Sequence, residues 1–245
     1  MSQLTVVIPA RNEAGRIGPA IRAVHRVLRS AGVDHDILVV DDASTDGTLA
    51  EAAALCPDHP LGVLRHETPL GKGGAVATGF RASTSDFCAF IDADLEFPPE
   101  TLVQMWRELT YSGRPQAICA IGERRGDERS RVERLTSHLA RTAIHLATGL
   151  PVRDTQAGIK MFPGWFARSI VGNLTERGWL FDVEALLEAR RSRLVIASFP
   201  LRQLRLRPRR ASAGEYLRCA VVLLRLVRAS RAGAEVAAAR EPRIP

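Results

Sequence analysis

The sequence contains no hydrophobic run long enough to cross a membrane. Its longest apolar stretch near the carboxyl terminus spans only residues 219–224 and is flanked by arginines, whereas a transmembrane helix needs about 20 apolar residues. Residues 4–8 form too short an apolar run for a signal peptide. We therefore expect a cytoplasmic protein that is soluble or bound peripherally to the cytoplasmic face of a membrane.

Cysteine is also scarce. The chain has four cysteines, and none stands in a Cys-x-x-Cys pair or beside a histidine. The six histidines show no ligand spacing either. These absences argue against a disulfide scaffold and a zinc site, and they indicate free thiols in a reducing compartment. The sequence also lacks a Walker P-loop and a Gly-x-Gly-x-x-Gly motif, which excludes two common nucleotide-binding classes.

The charge of the chain is positive and unevenly distributed. The 245 residues include 34 Lys and Arg against 27 Asp and Glu, a formal net charge of +7. Nine arginines lie between residues 202 and 231. A basic protein favours anionic partners such as a nucleotide, a nucleic acid or an anionic membrane surface. The sequence contains no known nucleic-acid-binding module, so we expect no nucleic-acid partner.

Strand and helix patterns alternate along the chain, which is typical of βαβ units and a parallel sheet. The predicted strands cover residues 4–8, 36–40, 61–64, 87–91, 116–121, 157–162 and 195–199. The predicted helices cover residues 14–31, a short segment ending at 55, and residues 71–81, 99–111, 131–148 and 179–190. We expect one α/β domain over residues 1–200, followed by a basic extension over residues 201–245.

The basic extension contains one further helical pattern, at residues 216–231. Arginines fall near one stripe of this helix and aliphatic residues lie largely elsewhere, so the helix could lie on anionic lipid. The alternative is an ordinary helix that packs its leucines on the domain and leaves its arginines in solvent.

Two carboxylates follow the most apolar strand, in the order Phe87-Cys88-Ala89-Phe90-Ile91-Asp92-Ala93-Asp94. Ligands of open α/β sheets bind beyond the carboxyl ends of the strands. Asp92 and Asp94 could therefore direct oxygen ligands at one divalent cation that also binds substrate phosphates. The alternative is that both residues cap the helix that begins near Pro99.

A second acidic pair, Asp41 and Asp42, ends another predicted strand. A carboxylate there can accept hydrogen bonds from a nucleobase or a ribose. The alternative is that it satisfies the turn and the start of the next helix, a role that we expect for Asp46. Further along, Gly71-Lys72-Gly73-Gly74 opens a helix, where backbone N–H groups and Lys72 could bind a phosphate; a plain turn is the alternative.

Taken in order, these segments resemble glycosyltransferase family 2. The matching segments are residues 6–13, 39–48, 71–73 and 92–94. Within the family, Asp154-Thr155-Gln156-Ala157-Gly158-Ile159-Lys160 is similar to the polyprenyl-phosphate (dolichyl-phosphate) mannose synthases and glucosyltransferases, and Phe181-Asp182-Val183-Glu184 supports this subgroup. The resemblance covers roughly residues 4–188. It implies a GT-A fold, which is an α/β fold with a Rossmann-like, mostly parallel sheet flanked by helices.

The resemblance also implies a donor site for a nucleoside diphosphate sugar of the GDP-mannose or UDP-glucose type. Its nucleotide-sugar contacts would come from Pro9, Ala10, Glu13, Asp41, Asp42, Lys72, Asp92, Ala93 and Gln156. Of the acidic pair, we expect Asp42 rather than Asp41 to touch the base. Mg²⁺ or Mn²⁺ would be held by Asp92, Asp94 and Glu96, with Asp94 as the direct ligand, and would stabilise the leaving diphosphate.

The acceptor that this subgroup implies is a polyprenyl phosphate. Because a phosphate is already an anion, it needs cationic groups rather than a general base. The candidates are Arg124, Arg131, Arg207, Arg209 and Arg210, with Ser212 as a hydrogen-bond donor. A hydroxyl acceptor would instead need a carboxylate base, for which Asp154 is the first candidate and Asp182 the second. A single displacement predicts inversion at the sugar carbon in both cases.

Two departures from the family pattern keep the acceptor open. Glu96 stands where relatives often carry Gln, Ser or another small polar residue, and no lysine follows Pro200 in the usual Gly-x-Ser-Lys arrangement. The multi-span membrane domain of some relatives is also absent from the sequence. A soluble hydroxyl acceptor is therefore the first alternative. A non-catalytic protein that binds nucleotide sugars or nucleic acid is the second.

Overall fold

The computed structural model describes residues 3–111, 113, 118–125, 141–152, 154–178, 180–202, 219, 221–225 and 227–228. Seven strands form one sheet within these ranges. They are β1 (Leu4–Ala10), β2 (His35–Asp41), β3 (Leu61–Arg65), β4 (Phe87–Ile91), β5 (Ile118–Arg125), β6 (Ile159–Pro163) and β7 (Val195–Arg202). Their order across the sheet is β3-β2-β1-β4-β6-β5-β7.

Helices cover both faces of this sheet. They are α1 (Ile17–Ser30), α2 (Thr48–Ala53), α3 (Gly71–Ala82), α4 (Glu100–Tyr111), α5 (141–148), α6 (Gly164–Ile170) and α7 (Phe181–Arg191), with a 3₁₀ turn at Cys56–Asp58. The first helix shows why the pattern folds in this way. Its buried residues Ile17, Ile21, Val24 and Leu28 recur at helical spacing, and the helix is followed by Gly32 at a φ of +67°, a conformation that glycine adopts without strain.

One strand departs from the predicted parallel sheet. Strands β3, β2, β1 and β4 pair in parallel, but β6 pairs antiparallel with both β4 and β5. Strands β5 and β7 are again parallel to each other. The sheet is therefore mostly parallel, with β6 inserted in the opposite direction, and this reversal places the start of β6 beside the end of β4.

The two faces of the sheet bury two separate hydrophobic cores. Side chains that alternate along β1 divide between them: Leu4, Val6 and Ile8 belong to the core beneath α1 and α4, whereas Val7 belongs to the core beneath α3, α6 and α7. The same alternation along β6 sends Lys160 toward the second core, because its neighbours Ile159 and Met161 both lie in the first.

Several predicted elements differ from the observed ones. The short second helix ends at Ala53 and is followed by the 3₁₀ turn, and α6 was not predicted. Strand β7 continues to Arg202, so the expected domain boundary at residue 200 falls inside a strand. Of the helix predicted over residues 131–148, residues 131–140 lie outside the described part of the chain.

The described part of the basic extension is helical at residues 219, 221–225 and 227–228. Cys219, Val222 and Leu223 pack against the second core, so this helix does contact the domain, as the alternative interpretation expected. Val221 and Leu224 on its other side are 41% and 57% exposed. None of the helices in the described ranges is both long enough and apolar enough to span a membrane.

The contact between α3 and β1 gives a test of the fold. A Cβ atom on Gly79 would lie 2.5 and 2.6 Å from the two methyl carbons of the buried Val7. We expect Gly79→Ala to lower the free energy of unfolding by about 1–2 kcal/mol, because overpacking outweighs the gain in helix propensity. Urea unfolding measures this change. Gly172→Ala is the matched control, since no atom lies within 4 Å of its added Cβ; equal unfolding of the two variants would contradict the packing.

Candidate active site

The predicted site residues meet at one edge of the sheet, here called the carboxyl edge, where β1, β2 and β4 end. Ala10 pairs with Asp41 at the ends of β1 and β2, and Asp42 N donates to Ala10 O at 2.8 Å. Asp92 directly follows Ile91, the last residue of β4. Because β2 and β4 flank β1 in the sheet, the two acidic segments lie at the same edge, as predicted.

The loops that follow β1 and β2 are joined by side-chain hydrogen bonds. Asn12 has a φ of +54°, its N–H donates to Ser44 Oγ at 2.9 Å, and its Oδ1 accepts from Thr45 N at 2.9 Å. Glu13 N donates to Thr48 Oγ1 at 2.8 Å. The two loops therefore form one wall beside the carboxyl edge.

The nucleoside contacts predicted on β1 lie at the base of this wall. Pro9 is half-buried and Ala10 is buried, and the Glu13 carboxylate pairs with Arg16. Asp46 has the structural role predicted for it, since its Oδ1 accepts from Thr48 N, the first residue of α2, at 3.0 Å. The hydrogen bond from the Thr48 hydroxyl lowers the pKa of Asp46.

Asp41 and Asp42 have different surroundings. Asp42 Oδ1 accepts from His66 Nδ1 at 2.7 Å and its Oδ2 accepts from Gly71 N at 2.8 Å, so Asp42 fixes the start of α3. Asp41 is fully buried, and its Oδ2 lies 3.7 Å from Arg65 Nε. That oxygen accepts no hydrogen bond from the described residues. The contact expected between Asp42 and a nucleobase stays a prediction. In the structure, Asp42 positions Gly71.

Lys72, in the first turn of α3, binds the Asp92 carboxylate. Its Nζ lies 2.7 Å from Oδ1 and 2.9 Å from Oδ2, and 5.2 Å from the centre of the Phe90 ring. The first amides of α3 are already engaged, because Gly71 N donates to Asp42 and Gly73 N donates to Arg177 O at 2.9 Å. A phosphate at this edge would therefore meet the Lys72 ammonium rather than these two amides.

Gly158 lets the backbone before β6 approach Asp92 closely. Asp92 N donates to Gly158 O at 3.0 Å. A Cβ atom on Gly158 would lie only 2.0 Å from Asp92 Oδ2, which is far inside van der Waals contact. The glycine in the Asp154–Lys160 segment is thus required by the position of the Asp92 carboxylate.

A buried ion pair lies behind this contact. Lys160 Nζ is 2.6 Å from Asp182 Oδ1 and donates to Ala157 O at 2.8 Å, and it lies 5.2 Å from the centre of the Phe90 ring. Burial lowers the pKa of Lys160 and raises the pKa of Asp182, and the opposite charge of each partner counters these shifts. The same Phe90 ring therefore contacts both Lys72 and Lys160.

Asp94 and Glu96 lie in the turn after β4. Leu95, at a φ of +49°, donates its N–H to Asp92 O at 3.1 Å, and Glu96 N donates to Asp94 Oδ1 at 3.1 Å. Asp94 and Glu96 are half-buried and Ala93 is buried. The sequence left two interpretations of these carboxylates, a metal site or a cap of the next helix. The structure shows a turn here, and α4 begins only at Glu100.

The carboxylates suit a cation that shares its coordination with a substrate. Asp92 already holds one cation, the Lys72 ammonium, and its oxygens are of the kind that Mg²⁺ and Mn²⁺ prefer. No three His, Cys, Asp or Glu side chains come together as a metal site in the part of the chain that the structure describes. These residues therefore fit a metal bound by one or two carboxylates together with substrate phosphates, not a metal enclosed by protein ligands alone.

The residues predicted for the acceptor are only partly described. Arg124 is the next-to-last residue of strand β5, at the carboxyl edge. Its side chain lies outside the described part, as do Arg131, Arg207, Arg209, Arg210 and Ser212. Asp154 is buried, and its charge partly opposes the lowering of the Lys160 pKa that burial causes. Gln156 is half-buried. Asp182 is buried against Lys160 and is as deeply buried as Asp154, so the role of either carboxylate as a base stays a prediction.

The sequence analysis did not identify Lys160 as a site residue, although the scarcity of lysine in the chain could have indicated it. Only two of the 34 cationic residues are lysines, Lys72 and Lys160, and both contact Phe90 in the site. In a chain that otherwise uses arginine, this choice indicates positions where a compact ammonium group is needed.

Residues 5–168 match the family described as "Glycosyl transferase family 2". This match covers more than half of the chain, and the chain belongs to that family. The predicted resemblance is therefore confirmed.

Curated relatives extend the similarity to about four fifths of the chain. It is 28% identical over 219 residues to the dolichyl-phosphate beta-glucosyltransferase of Saccharomyces cerevisiae, which covers 81% of this chain and 66% of the relative. It is 30% identical over 217 residues to the Drosophila melanogaster enzyme of the same name, covering 82% of this chain and 66% of that enzyme. The chain thus spans just under two thirds of the length of these relatives.

Solved structures show the same fold. Glucosyl-3-phosphoglycerate synthase from Mycobacterium tuberculosis in complex with UDP superposes with a TM-score of 0.68 at 23% identity, covering 92% of this chain and 80% of that structure. The same enzyme with Mn²⁺, UDP and glucosyl-3-phosphoglycerate gives a TM-score of 0.62 at 23% identity, covering 94% and 78%. The predicted GT-A fold is confirmed.

The close approach of Gly158 to Asp92 gives a test of the site. We expect Gly158→Ala to displace the Asp92 carboxylate from Lys72 and to lower the rate of nucleoside diphosphate release by about 100-fold, the effect of a misplacement near 1 Å. A coupled assay of diphosphate release measures the rate, and thermal unfolding verifies that the variant is folded. The control is again Gly172→Ala; a Gly158→Ala enzyme with wild-type turnover would show that the Asp92 position is not critical.

Proposed function

We propose that this chain transfers a hexose from a nucleoside diphosphate sugar to a polyprenyl phosphate, with a divalent cation and with inversion at the sugar carbon. The observation that carries the proposal is the arrangement of Lys72, Asp92 and Asp94 at the carboxyl edge. It offers a cationic group to a diphosphate and carboxylate oxygens to the metal on that diphosphate. The names of the two relatives, which align over 81% and 82% of the chain, support the class of acceptor.

On the donor side, each charged group has a distinct proposed role. Asp92 and Asp94 would hold Mg²⁺ or Mn²⁺, which when bound stabilises negative charge on the leaving diphosphate. A solved structure of the same fold contains Mn²⁺ and UDP, which supports this choice. Lys72 would bind a phosphate oxygen, and the wall formed by the loops after β1 and β2 would hold the nucleoside.

On the acceptor side, the direction of the strands supports the predicted arginines. Strand β5 runs parallel to β4, since both pair antiparallel with β6. Its last residues Arg124 and Arg125 pair with Leu201 and Arg202 of β7, so both strands end at the carboxyl edge. The chain therefore leaves β7 at this edge before residues 207–212. We propose that Arg124, Arg131 and these residues bind the acceptor phosphate.

The reaction with a phosphate acceptor needs no proton to be removed. An acceptor phosphate oxygen forms a bond to the anomeric carbon as the bond from that carbon to the donor diphosphate breaks, and the diphosphate takes the electron pair. Attack from the side opposite the leaving group inverts the carbon. The burial of Asp182 against Lys160 agrees with a mechanism that does not use it as a base.

A soluble hydroxyl acceptor is the second candidate. Two observations favour it: a glucosyl-3-phosphoglycerate synthase is among the solved structures with this fold, and no lysine follows Pro200 in the sequence. In that reaction Asp154 would take the hydroxyl proton. Asp154 is 2% exposed, so this role requires the acceptor or the surrounding loop to admit the hydroxyl to it.

We also propose that the helix in the basic extension contacts an anionic membrane surface. Val221, Leu224, Arg225 and Arg228 are exposed and follow a spacing of three, four and seven residues, which places them on one helix face. Two aliphatic groups beside two arginines suit the boundary between acyl chains and anionic headgroups. This contact would bring the carboxyl edge to a lipid-linked acceptor.

The proposed function is tested by nucleoside diphosphate release from GDP-mannose, UDP-glucose and UDP-N-acetylglucosamine. Each donor is supplied with Mg²⁺, Mn²⁺ or a chelator, with and without a short polyprenyl phosphate. We expect release from one donor that requires both the metal and the lipid phosphate. Asp94→Asn should lower that rate by about 100-fold or more, since it removes a charged group that stabilises the transition state.

Asp58→Asn is the matched control, because Asp58 is an exposed carboxylate in the 3₁₀ turn. Its rate should equal that of the wild type. Metal-dependent donor binding without any response to the lipid phosphate would reject the lipid acceptor and favour the hydroxyl acceptor. Full activity in the chelator would reject the metal.

A further inference from the structure

The buried pair of Lys160 and Asp182 is not used by the proposed chemistry. Lys160 is fully buried and Asp182 is 3% exposed, so neither side chain can meet a substrate without a rearrangement. Phe90 and Phe181, which belong to the second core, contact each other with ring centres 5.5 Å apart, and Lys160 lies against Phe90. The pair is thus placed in apolar surroundings directly behind the carboxyl edge.

Stability does not by itself account for such a pair. Removing two charges from water costs free energy that their attraction often fails to recover, and well-packed apolar residues can replace a buried pair without loss of stability. We therefore look for a role of the pair in holding other residues in position rather than in stabilising the fold. The hydrogen bond of Lys160 shows which part of the molecule it holds.

The hydrogen bond that Lys160 donates connects it to Asp92 through the backbone of two residues, Ala157 and Gly158. Lys160 Nζ donates to Ala157 O at 2.8 Å, the next residue Gly158 accepts from Asp92 N at 3.0 Å, and Gly158 also lies against the Asp92 carboxylate. The register of β4 and β6 continues this connection, since Phe90 pairs with Lys160 and Ile91 with Ile159. A shift at Lys160 would move the backbone that holds Asp92.

The contacts of Lys160 also explain why this residue is a lysine. Its compact ammonium group meets the Asp182 carboxylate, the Ala157 carbonyl and the face of Phe90 at one point. The planar guanidinium of arginine, which the chain uses at all cationic positions except two, is larger and directs its donors in a fixed fork. Asp182 lies in the first turn of α7 and anchors the ammonium from that side.

We infer that Lys160 and Asp182 are positioning residues that hold Asp92 in place for the donor diphosphate and its metal. This inference rests on the proposed role of Asp92 in the donor site. The ion pair fixes the turn of Ala157 and Gly158, and the turn fixes both the backbone and the carboxylate of Asp92. Lys72 then completes the site from α3.

The main experiment replaces the pair by apolar residues of similar size, in the double variant Lys160→Met/Asp182→Leu. We expect this variant to unfold near the wild-type midpoint, because no unpaired charge remains. Its affinity for the nucleoside diphosphate with Mn²⁺, measured by calorimetry, should fall by about 10- to 100-fold, as for other groups that orient metal-binding side chains. The KM for the donor should rise while the KM for the acceptor stays unchanged.

Hydrogen exchange gives a readout that needs no donor. The amide of Asp92 should exchange faster in the double variant, whereas amides in the middle of β2 should keep their protection. Met161→Leu is the matched control, since Met161 follows Lys160 on β6 but is buried in the other core. It should leave both the affinity and the exchange unchanged.

If the double variant does not fold, Lys160→Gln/Asp182→Asn takes its place, because it keeps side chains of similar size and again leaves no unpaired buried charge. It should show the same direction of change in affinity and in Asp92 exchange. A folded variant with wild-type affinity and wild-type exchange would overturn the inference and leave the pair a purely structural one. Faster exchange at Asp92 in the variant, together with a wild-type protein that binds no nucleoside diphosphate, would reject the proposed function instead, while retaining the positioning of Asp92.

Discussion

The carboxyl edge depends on the balance of charge around Phe90. Two ammonium groups, those of Lys72 and Lys160, contact this ring and pair with Asp92 and Asp182. The pairs are coupled, since the charges of Lys72 and Asp92 both act on the pKa of Asp182. Carboxylates gathered at one edge repel each other, and the two lysines make their proximity possible before any metal or substrate is present. The carboxylates of a donor site can thus be held together by the protein itself.

Much of this arrangement could be predicted because it follows from local sequence. The apolar run before Asp92 identifies a buried strand, and the alternation of strands and helices places its end at the same edge of the sheet as the end of β2. The glycine and lysine at the start of α3 are likewise local signals. Asp46 was predicted to satisfy the start of the next helix because it is a short polar residue just before that helix, and Thr48 N does donate to its Oδ1 at 3.0 Å.

The rest could not be predicted because it depends on contacts between distant segments. The direction of β6 is set by the way the chain returns after α5, and residues 157–162 carry the same apolar pattern whichever way they run. The hydrogen bonds that Asp42 accepts could not be predicted, since its partners His66 and Gly71 come from a different loop. Lys160 lies within a motif that was recognised, yet its burial against Asp182 depends on where α7 begins. In each case the sequence contained the residues but not their pairing.

The structure also separates the two proposed halves of the reaction. The proposed donor half is built from β1, β2, β4 and α3, whose side chains are linked by short hydrogen bonds and ion pairs around Asp42 and Asp92. The proposed acceptor half lies where β5 and β7 end, as a paired extension of two strands that carries Arg124, Arg125 and Arg202. In the described sheet β6 joins these halves, since it pairs with β4 on one side and β5 on the other. A family built in this way can keep one donor site and change its acceptor by altering the strand ends beyond β5 and β7. This division agrees with a chain whose sequence relatives are named for a lipid phosphate and whose fold relatives are named for phosphoglycerate.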